Sequence, residues 1–237
     1  MPSEVTVMFP GDTLKLNETE ITIGPNFELD SQTETEAILK ATNAGLLQSK
    51  TQRKGTLYYV DSPYGEYTPQ IGDMVLGTVI GQFGEYYRVS LSDHLIVLLN
   101  MYAFPNASKK NRPRLEIGDL VYARVESTHK SVDAEISCMD AMGKEGGFGI
   151  LKGGYCIDIS QSYARFLLYN TDAPVLGKLV QKVAFELAVA VNGKVWVKSD
   201  DDKSTMFCAT AISRSINWNR EQVDSEVDKL ATLFKKM

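Results

Sequence analysis

The chain has 237 residues, of which 43% are hydrophobic, a fraction close to the globular average that supports packed cores and argues against wholesale disorder. Its formal net charge of -5 argues against a protein whose whole surface binds nucleic acid, although it allows a local basic patch. No apolar run approaches membrane-spanning length and no signal-peptide core opens the chain, so we expect a soluble, intracellular protein without a membrane partner.

The cysteines give no sign of a metal site or a disulfide framework. Cys138, Cys156 and Cys208 are widely spaced, and no C-x-x-C pair occurs among them. Only His94 and His129 could join them as ligands, which makes a zinc site improbable on spacing. We therefore expect three free thiols in a reducing compartment, with no metal and no cofactor.

Residues 1–66 are the first predicted domain, a small β-rich module. Short runs of strand-forming residues at 21–23 and 57–60 are separated by turn sequences such as Gly24-Pro25-Asn26. The acid-rich stretch at residues 30–36 is interpreted as a solvated loop. These strands are too few and too short for a large core.

Residues 67–142 are the second predicted domain and contain a pseudo-repeat. Gly72-Asp73 and Gly118-Asp119 each introduce an alternating run, and further strand candidates lie at residues 86–91, 95–99 and 132–138. Five strands in about seventy residues, with glycines at the bends, match the size of a small OB-type barrel.

Alternation assigns the side chains of this barrel to two faces. Tyr86 and Arg88 fall on the outer face of one strand, and Tyr122 and Arg124 fall on the outer face of another. Such a face suits single-stranded nucleic acid, because aromatic planes stack on bases and cations meet phosphates. A second interpretation stays open, in which these tyrosines pack against an adjoining domain.

Residues 103–114, called the basic loop below, are the most unusual feature of this acidic chain. The loop precedes a predicted strand and contains no acidic residue, and its cations are Lys109, Lys110, Arg112 and Arg114. We predict that these cations contact the phosphates of a nucleic acid. The alternative is contact with an acidic surface of a partner protein, because exposed cations can bind either phosphates or carboxylates.

Residues 143–237 are the third predicted domain, of α+β type. Residues 143–149 are interpreted as a glycine-rich linker, because they lack the spacing of a phosphate-cradling loop or a dinucleotide fingerprint. The pattern then predicts a strand, two helices, a hairpin and further helices. This is the order of a eukaryotic-type KH domain with an additional helix before the last one.

Short sequence motifs predict a turn, a helix start and a loop within this third domain. Asn192-Gly193 predicts a type I′ hairpin turn, because both residues tolerate positive φ. The last helix is predicted to begin at Asn219, which is spaced from Gln222 as in a capping box. Residues 170–174 lack the Gly-x-x-Gly loop that clamps a nucleic-acid backbone, so we expect this domain mainly to pack against protein, with Trp196 as a core anchor.

The three modules in this order resemble the cap subunits of the eukaryotic RNA exosome, in particular the ribosomal RNA-processing protein 40 type. The run at residues 103–113, the Phe9-Pro10-Gly11-Asp12 turn, Gly147-Phe148-Gly149 and the hairpin at 192–198 carry the resemblance. Two positions depart from it. Ala190 and Asn26 stand where glycine is usual, and Asn is the non-glycine residue best able to adopt positive φ.

The resemblance implies a multidomain fold, mainly β plus α+β, with an N-terminal β module, an S1-type OB barrel and a KH-like domain. It also implies a non-catalytic subunit that contacts RNase PH-like ring subunits and other cap subunits, guides RNA, and works with associated exonucleases and helicase cofactors. Nucleus, nucleolus and cytoplasm are the expected locations. A free-standing RNA-binding accessory protein in translation or RNA processing is the alternative function, and an enzyme is a third class.

We predict no catalytic residue and no metal ligand. The residues predicted to bind RNA are Lys109, Lys110, Arg112, Arg114, Arg88, Arg124, Tyr86 and Tyr122.

Overall fold

The structure is a computed structural model that describes residues 6–17, 20–33, 36–51, 55–62, 66–108, 110–129, 132–140, 142–170 and 173–236. The chain forms two compact units, Met1–Thr68 and Pro69–Met237. No helix in the described part of the chain is long and apolar enough to cross a membrane.

The first unit consists of two small β-sheets with one apolar cluster. Its strands are β1 (Val7–Met8), β2 (Thr13–Leu16), β3 (Ile21–Ile23), β4 (Phe27–Gln32), β5 (Ala37–Ala41), β6 (Gly45–Thr51) and β7 (Thr56–Asp61). One sheet has the order β1-β6-β7-β3 and the other has the order β2-β5-β4. Leu39 of β5 and Val60 of β7 are fully buried in the same cluster, so both sheets contribute to one core.

The solvated loop expected at residues 30–36 is shorter than predicted. β4 continues to Gln32 and pairs with β5, so the polar residues from Asp30 to Gln32 belong to a strand. β4 lies at the edge of its sheet, where exposed polar side chains are tolerated, and this explains why composition suggested a loop. Asn26 has a φ of 63°, as expected for the turn before β4.

The second unit begins with a five-stranded barrel. Its strands are β8 (Met74–Phe83), β9 (Tyr86–Ser90), β10 (Ile96–Asn100), β11 (Leu120–His129) and β12 (Val132–Ser137). β12 pairs with both β10 and β11, which closes the barrel and confirms the predicted OB-type fold. Tyr87, Val89 and Val121 are buried inside it, which confirms the predicted inner face.

The pseudo-repeat holds β8 and β11 together by matching hydrogen bonds. The amide of Gly72 donates to the carbonyl of Val125 at 2.9 Å, and the amide of Val125 donates to the carbonyl of Asp73 at 2.8 Å. Gly118 repeats the arrangement with Val79 at 2.8 Å. Both glycines have φ near 100°, at 95° and 100°, a conformation that side-chain-bearing residues rarely adopt.

The predicted glycine-rich linker at residues 143–149 consists of turns and bends up to residue 148, and only Gly149 belongs to a strand. β13 (Gly149–Leu151) pairs with β11 as an additional strand. Gly143 and Gly147 have φ of 75° and 77°, which permits the tight turns that return the chain to the sheet.

The rest of the second unit is the predicted KH-type domain. Its elements are β14 (Tyr155–Asp158), α1 (Gln161–Tyr169), α2 (Pro174–Val180), β15 (Phe185–Val189), β16 (Lys194–Ser199), α3 (Asp202–Ser215) and α4 (Val223–Lys236). The sheet order is β14-β16-β15, and α3 is the additional helix. α4 begins four residues after Asn219, although the Asn219 amide does donate to the Gln222 side chain at 3.1 Å. Val223 and Val227 are buried on its apolar face.

Asn192 joins the KH domain to the barrel. Its side-chain amide donates to the carbonyls of Leu76 at 2.8 Å and Leu91 at 3.2 Å, and its side-chain oxygen accepts from the Leu76 amide at 3.2 Å. The backbone φ of Asn192 is not positive, so the predicted type I′ turn is wrong. Gly193 alone is left-handed, at φ 82°, which is typical of a three-residue hairpin loop and leaves the Asn192 side chain directed at the barrel.

Tyr122 is buried in the same domain contact. It lies on the outer face of the barrel, as alternation predicts, but the KH domain covers that part of the face and leaves the residue only 9% exposed. Its hydroxyl donates to the carbonyl of Val189 at 3.0 Å, and its ring centroid is 5.2 Å from that of Phe148. The predicted base-stacking role of Tyr122 is therefore contradicted, because its ring is already occupied by protein.

Trp196 and Ala190 complete this contact. Both are buried with Leu76 and Tyr122 in one apolar cluster, and the Trp196 indole donates to the carbonyl of Gly153 at 2.8 Å. Trp196 is thus an anchor, as predicted, and the methyl group of Ala190 is accommodated where a glycine was expected.

The Asn192→Ala variant should lower the free energy of unfolding by roughly 2 to 3 kcal/mol, because it leaves partly buried backbone groups of the barrel without partners. Urea unfolding of the full chain measures this. Asn217→Ala, at an exposed position, is the matched control and should change the value by less than about 0.5 kcal/mol. Equal effects of the two substitutions would contradict the joining role of Asn192.

The stability contributed by Tyr122 should fall at high pH. Burial raises the pKa of Tyr122 from 10.0 to about 12, so the folded state favours the neutral phenol. This contribution is complete below pH 10 and is lost as the pH rises through 12. Compared with Tyr122→Phe, the parent should be about 1 kcal/mol more stable at neutral pH, and this advantage should disappear near about pH 11. A pH-independent difference in urea unfolding would show that the phenol is not buried.

Candidate nucleic-acid interface

An exposed aromatic residue marks the tip of the β8–β9 hairpin. Phe83 is 76% exposed and lies directly opposite Tyr86 across a two-residue turn. The turn contains Gly84, whose φ of 59° allows the chain to reverse between them. Residues directly opposite in an antiparallel pair share a face of the sheet, so Phe83 and the half-buried Tyr86 form one aromatic edge.

Arg88 continues this surface along β9. Residues two apart in a strand point to the same side, which places exposed Arg88 on the face of Tyr86. Arg88 lies between Gly81 and Leu98 on the neighbouring strands. Gly81 has no side chain, and the space where one would begin is open. The guanidinium of Arg88 is therefore accessible beside the aromatic edge.

The basic loop begins at the same end of the barrel. Ala103 donates to the carbonyl of Asn100 at the end of β10, and Cys138 of the neighbouring chain segment donates to the carbonyl of Ala103. Ser108 and Asn111 exchange backbone hydrogen bonds of 2.8 and 3.1 Å, which form a tight turn that contains exposed Lys110. Lys109, the other predicted lysine, lies outside the described residues.

Arg112 is connected to the hairpin through Tyr102. The guanidinium of Arg112 donates to the Tyr102 hydroxyl at 3.4 Å and lies 5.7 Å from the centroid of its ring. The Tyr102 hydroxyl in turn donates to the carboxylate of Glu85 at 3.4 Å. Glu85 directly precedes Tyr86, so these contacts link Arg112 to the aromatic edge. The remaining loop cation, Arg114, is also exposed.

Arg124 makes a contact of its own. It pairs with Met74 of β8 and with Ser137 of β12, next to Cys138, which contacts Ala103 at the start of the basic loop. Its side chain is half-buried and donates to the carbonyl of Met139 at 3.4 Å. The structure therefore links Arg112 to the aromatic edge through Tyr102 and Glu85, and it leaves Lys110 and Arg114 exposed on the same loop. The side chains of Arg124 and Tyr122 instead donate to protein carbonyls.

Sequence reasoning missed Phe83 and Tyr102. Phe83 carried a usable signal, because an aromatic residue next to a Gly-Glu turn between two strands lies opposite Tyr86 in a two-residue hairpin. Tyr102 carried none, since its role depends on Glu85 and Arg112, which approach it only in the folded barrel.

The thiols and possible metal ligands of the described residues form no comparable site. Cys138 and Cys208 are buried free thiols, and burial raises their pKa to about 12 and about 11. Among the residues that the structure describes, no group of three histidine, cysteine, aspartate or glutamate residues is placed to hold a metal ion. The loop between α1 and α2 includes Thr171 and Asp172, which are outside the described residues.

Known proteins share this combination of domains. A family model described as exosome complex component RRP40, S1 domain, matches residues 67–149, and a KH domain model matches residues 154–203. The chain is similar to exosome complex component RRP40 of Saccharomyces cerevisiae, with 38% identity over 229 residues, which cover 94% of each chain. It is also similar to exosome complex component rrp40 of Schizosaccharomyces pombe, with 37% identity over 86% of this chain and 85% of that relative.

A solved structure supports the same fold. It carries a provisional description as an exosome complex RNA-binding protein, and it matches this chain with a TM-score of 0.58 at 18% sequence identity. The match covers 71% of this chain and 99% of the chain in the solved structure. The sequence similarity to the yeast relative spans nearly the whole of both chains. The chain therefore belongs to the exosome complex component RRP40 family.

Proposed function

We propose that the chain is a non-catalytic, RNA-binding cap subunit of the RNA exosome. It bridges RNase PH-like ring subunits and guides RNA into the channel for 3′-5′ degradation and processing. The observation that carries the RNA-binding role is the barrel edge at which Phe83, Tyr86 and Arg88 adjoin the basic loop, in a member of the RRP40 family.

The edge offers two kinds of contact that single-stranded RNA uses. Phe83 and Tyr86 present aromatic rings on which bases stack, and stacking tolerates any base sequence. Lys110, Arg112 and Arg114 are exposed cations for the phosphates that follow. An interface of this kind binds RNA without reading its sequence, as a protein that guides many RNAs requires.

The KH domain has a different role in this proposal. Asn192 and Trp196 are committed to the barrel contact, and residues 170–174 contain no glycine with which to approach a nucleic-acid backbone. The domain holds the barrel and provides surface for other subunits.

The expected partners are RNA, ring subunits, the other cap subunits, associated exonucleases and helicase cofactors. A cap subunit that does not cleave RNA depends on such exonucleases. The expected locations are the nucleus, nucleolus and cytoplasm. The alternative, a free-standing RNA-binding accessory protein in translation or RNA processing, predicts that the chain migrates alone in cell extract, whereas a cap subunit migrates in a large complex.

Neutralising the basic loop should weaken RNA binding. In the Lys110→Gln, Arg112→Gln, Arg114→Gln triple variant, affinity for single-stranded RNA should fall by up to about 100-fold at about 0.1 M salt, because each phosphate contact contributes roughly 0.7 log units. The slope of log affinity against log salt should become shallower by about 2. Fluorescence anisotropy across a salt series measures both quantities.

A variant with the same change in net charge is the control for that experiment. Lys203→Gln, Arg214→Gln, Arg220→Gln removes three exposed cations from the KH domain and should leave the slope unchanged. Both triple variants should still enter the large complex, as judged by sedimentation of cell extract. Loss of assembly with RNA affinity intact would assign the loop to an acidic protein partner instead.

Phe83→Ala should lower RNA affinity through lost stacking, which is worth about 1 to 3 kcal/mol per base. Because no charge is removed, the salt slope should stay the same. Met142→Ala removes a similarly exposed apolar side chain, 82% exposed, and is the control. An unchanged affinity for Phe83→Ala would exclude base stacking at the hairpin tip.

A further inference from the structure

Tyr87 is a buried residue whose hydroxyl reaches out of the barrel interior to the basic loop. Its residue surface is only 4% exposed, and it belongs to the inner face of β9. The hydroxyl donates to the carbonyl of Pro113 and accepts from the amide of Leu115, both at 3.3 Å. A core side chain thus contacts the backbone on both sides of Arg114.

These two hydrogen bonds require a single side-chain group that both donates and accepts a hydrogen bond. The tyrosine hydroxyl does both, whereas phenylalanine would fill the same interior space and do neither. Pro113 and Leu115 are half-buried, while Arg114 between them is exposed. The hydroxyl therefore fixes the backbone around a side chain that it does not touch.

The position of Tyr87 in β9 relates the loop to the rest of the interface. Arg88 is the next residue, and successive residues of a strand point to opposite faces. β9 thus presents Arg88 to the solvent and holds the backbone around Arg114 with the preceding side chain.

We infer that Tyr87 is a positioning residue, which holds the backbone on both sides of Arg114 so that the Arg114 side chain meets a phosphate of the RNA. This inference rests on the proposed RNA-binding role of the loop. A site of this kind depends on supporting residues that fix its backbone, since a displacement of about 1 Å already weakens it.

The first measurement is direct. In Tyr87→Phe of the full chain, amide hydrogen exchange at Leu115 should accelerate at least about tenfold, because the amide loses its acceptor. Tyr122→Phe is the matched control, since it removes a buried hydroxyl that contacts Val189 and not the loop. It should leave exchange at Leu115 unchanged. An unchanged rate in Tyr87→Phe would overturn the inference.

The second measurement is a double-mutant cycle in RNA affinity. Tyr87→Phe should lower affinity for a single-stranded oligonucleotide about fivefold at about 0.1 M salt and reduce the salt slope by about 0.7, as expected for one lost phosphate contact. It should have no further effect in an Arg114→Gln background and its full effect in a Lys110→Gln background. A general loss of stability would instead act equally in both.

The two failures are distinguishable. If Arg114→Gln and the triple loop variant leave RNA affinity unchanged, the proposed RNA-binding role fails, and the positioning role fails with it. If those variants lower affinity while Tyr87→Phe has an equal effect with and without Arg114, the loop binds RNA and the positioning role alone is overturned.

Discussion

The hydrogen bonds of Asn192 with the barrel are the contact on which the second unit depends. One amide side chain contacts the carbonyls of Leu76 and Leu91 and the amide of Leu76, and removing it would leave these groups without partners. Together with the buried rings of Tyr122 and Trp196, it fixes the KH domain over one part of the barrel. The β8–β9 hairpin tip and the basic loop stay exposed as a consequence.

At the exposed end of the barrel, single side chains again make several contacts. The barrel interior must be filled, and Tyr87 fills it while its hydroxyl holds the backbone on both sides of Arg114. Tyr102 similarly joins Arg112 to the hairpin through Glu85. In the proposed function, these contacts hold the cations of the loop before RNA binds, and they so reduce the conformational entropy that is lost on binding.

The overall charge fits the proposed role of guiding RNA rather than binding it tightly. The chain is acidic overall, so its long-range attraction for RNA is weak, and the proposed interface consists of a few cations and two aromatic rings. When an interface makes only a few phosphate contacts, each contact contributes a large share of the affinity. The RNA strand can then still slide past the proposed interface.

Sequence by itself determined the three modules, the barrel strands, the KH order and the cations of the loop. Strand alternation and turn residues depend on local geometry, which neighbouring residues fix. Only the tertiary structure decided that Tyr122 is covered, that Arg124 donates to the carbonyl of Met139, and that Tyr87 and Tyr102 contact the loop. These outcomes depend on contacts between residues far apart in sequence, such as Tyr122 with Val189, and no local pattern encodes which outer face another domain will cover.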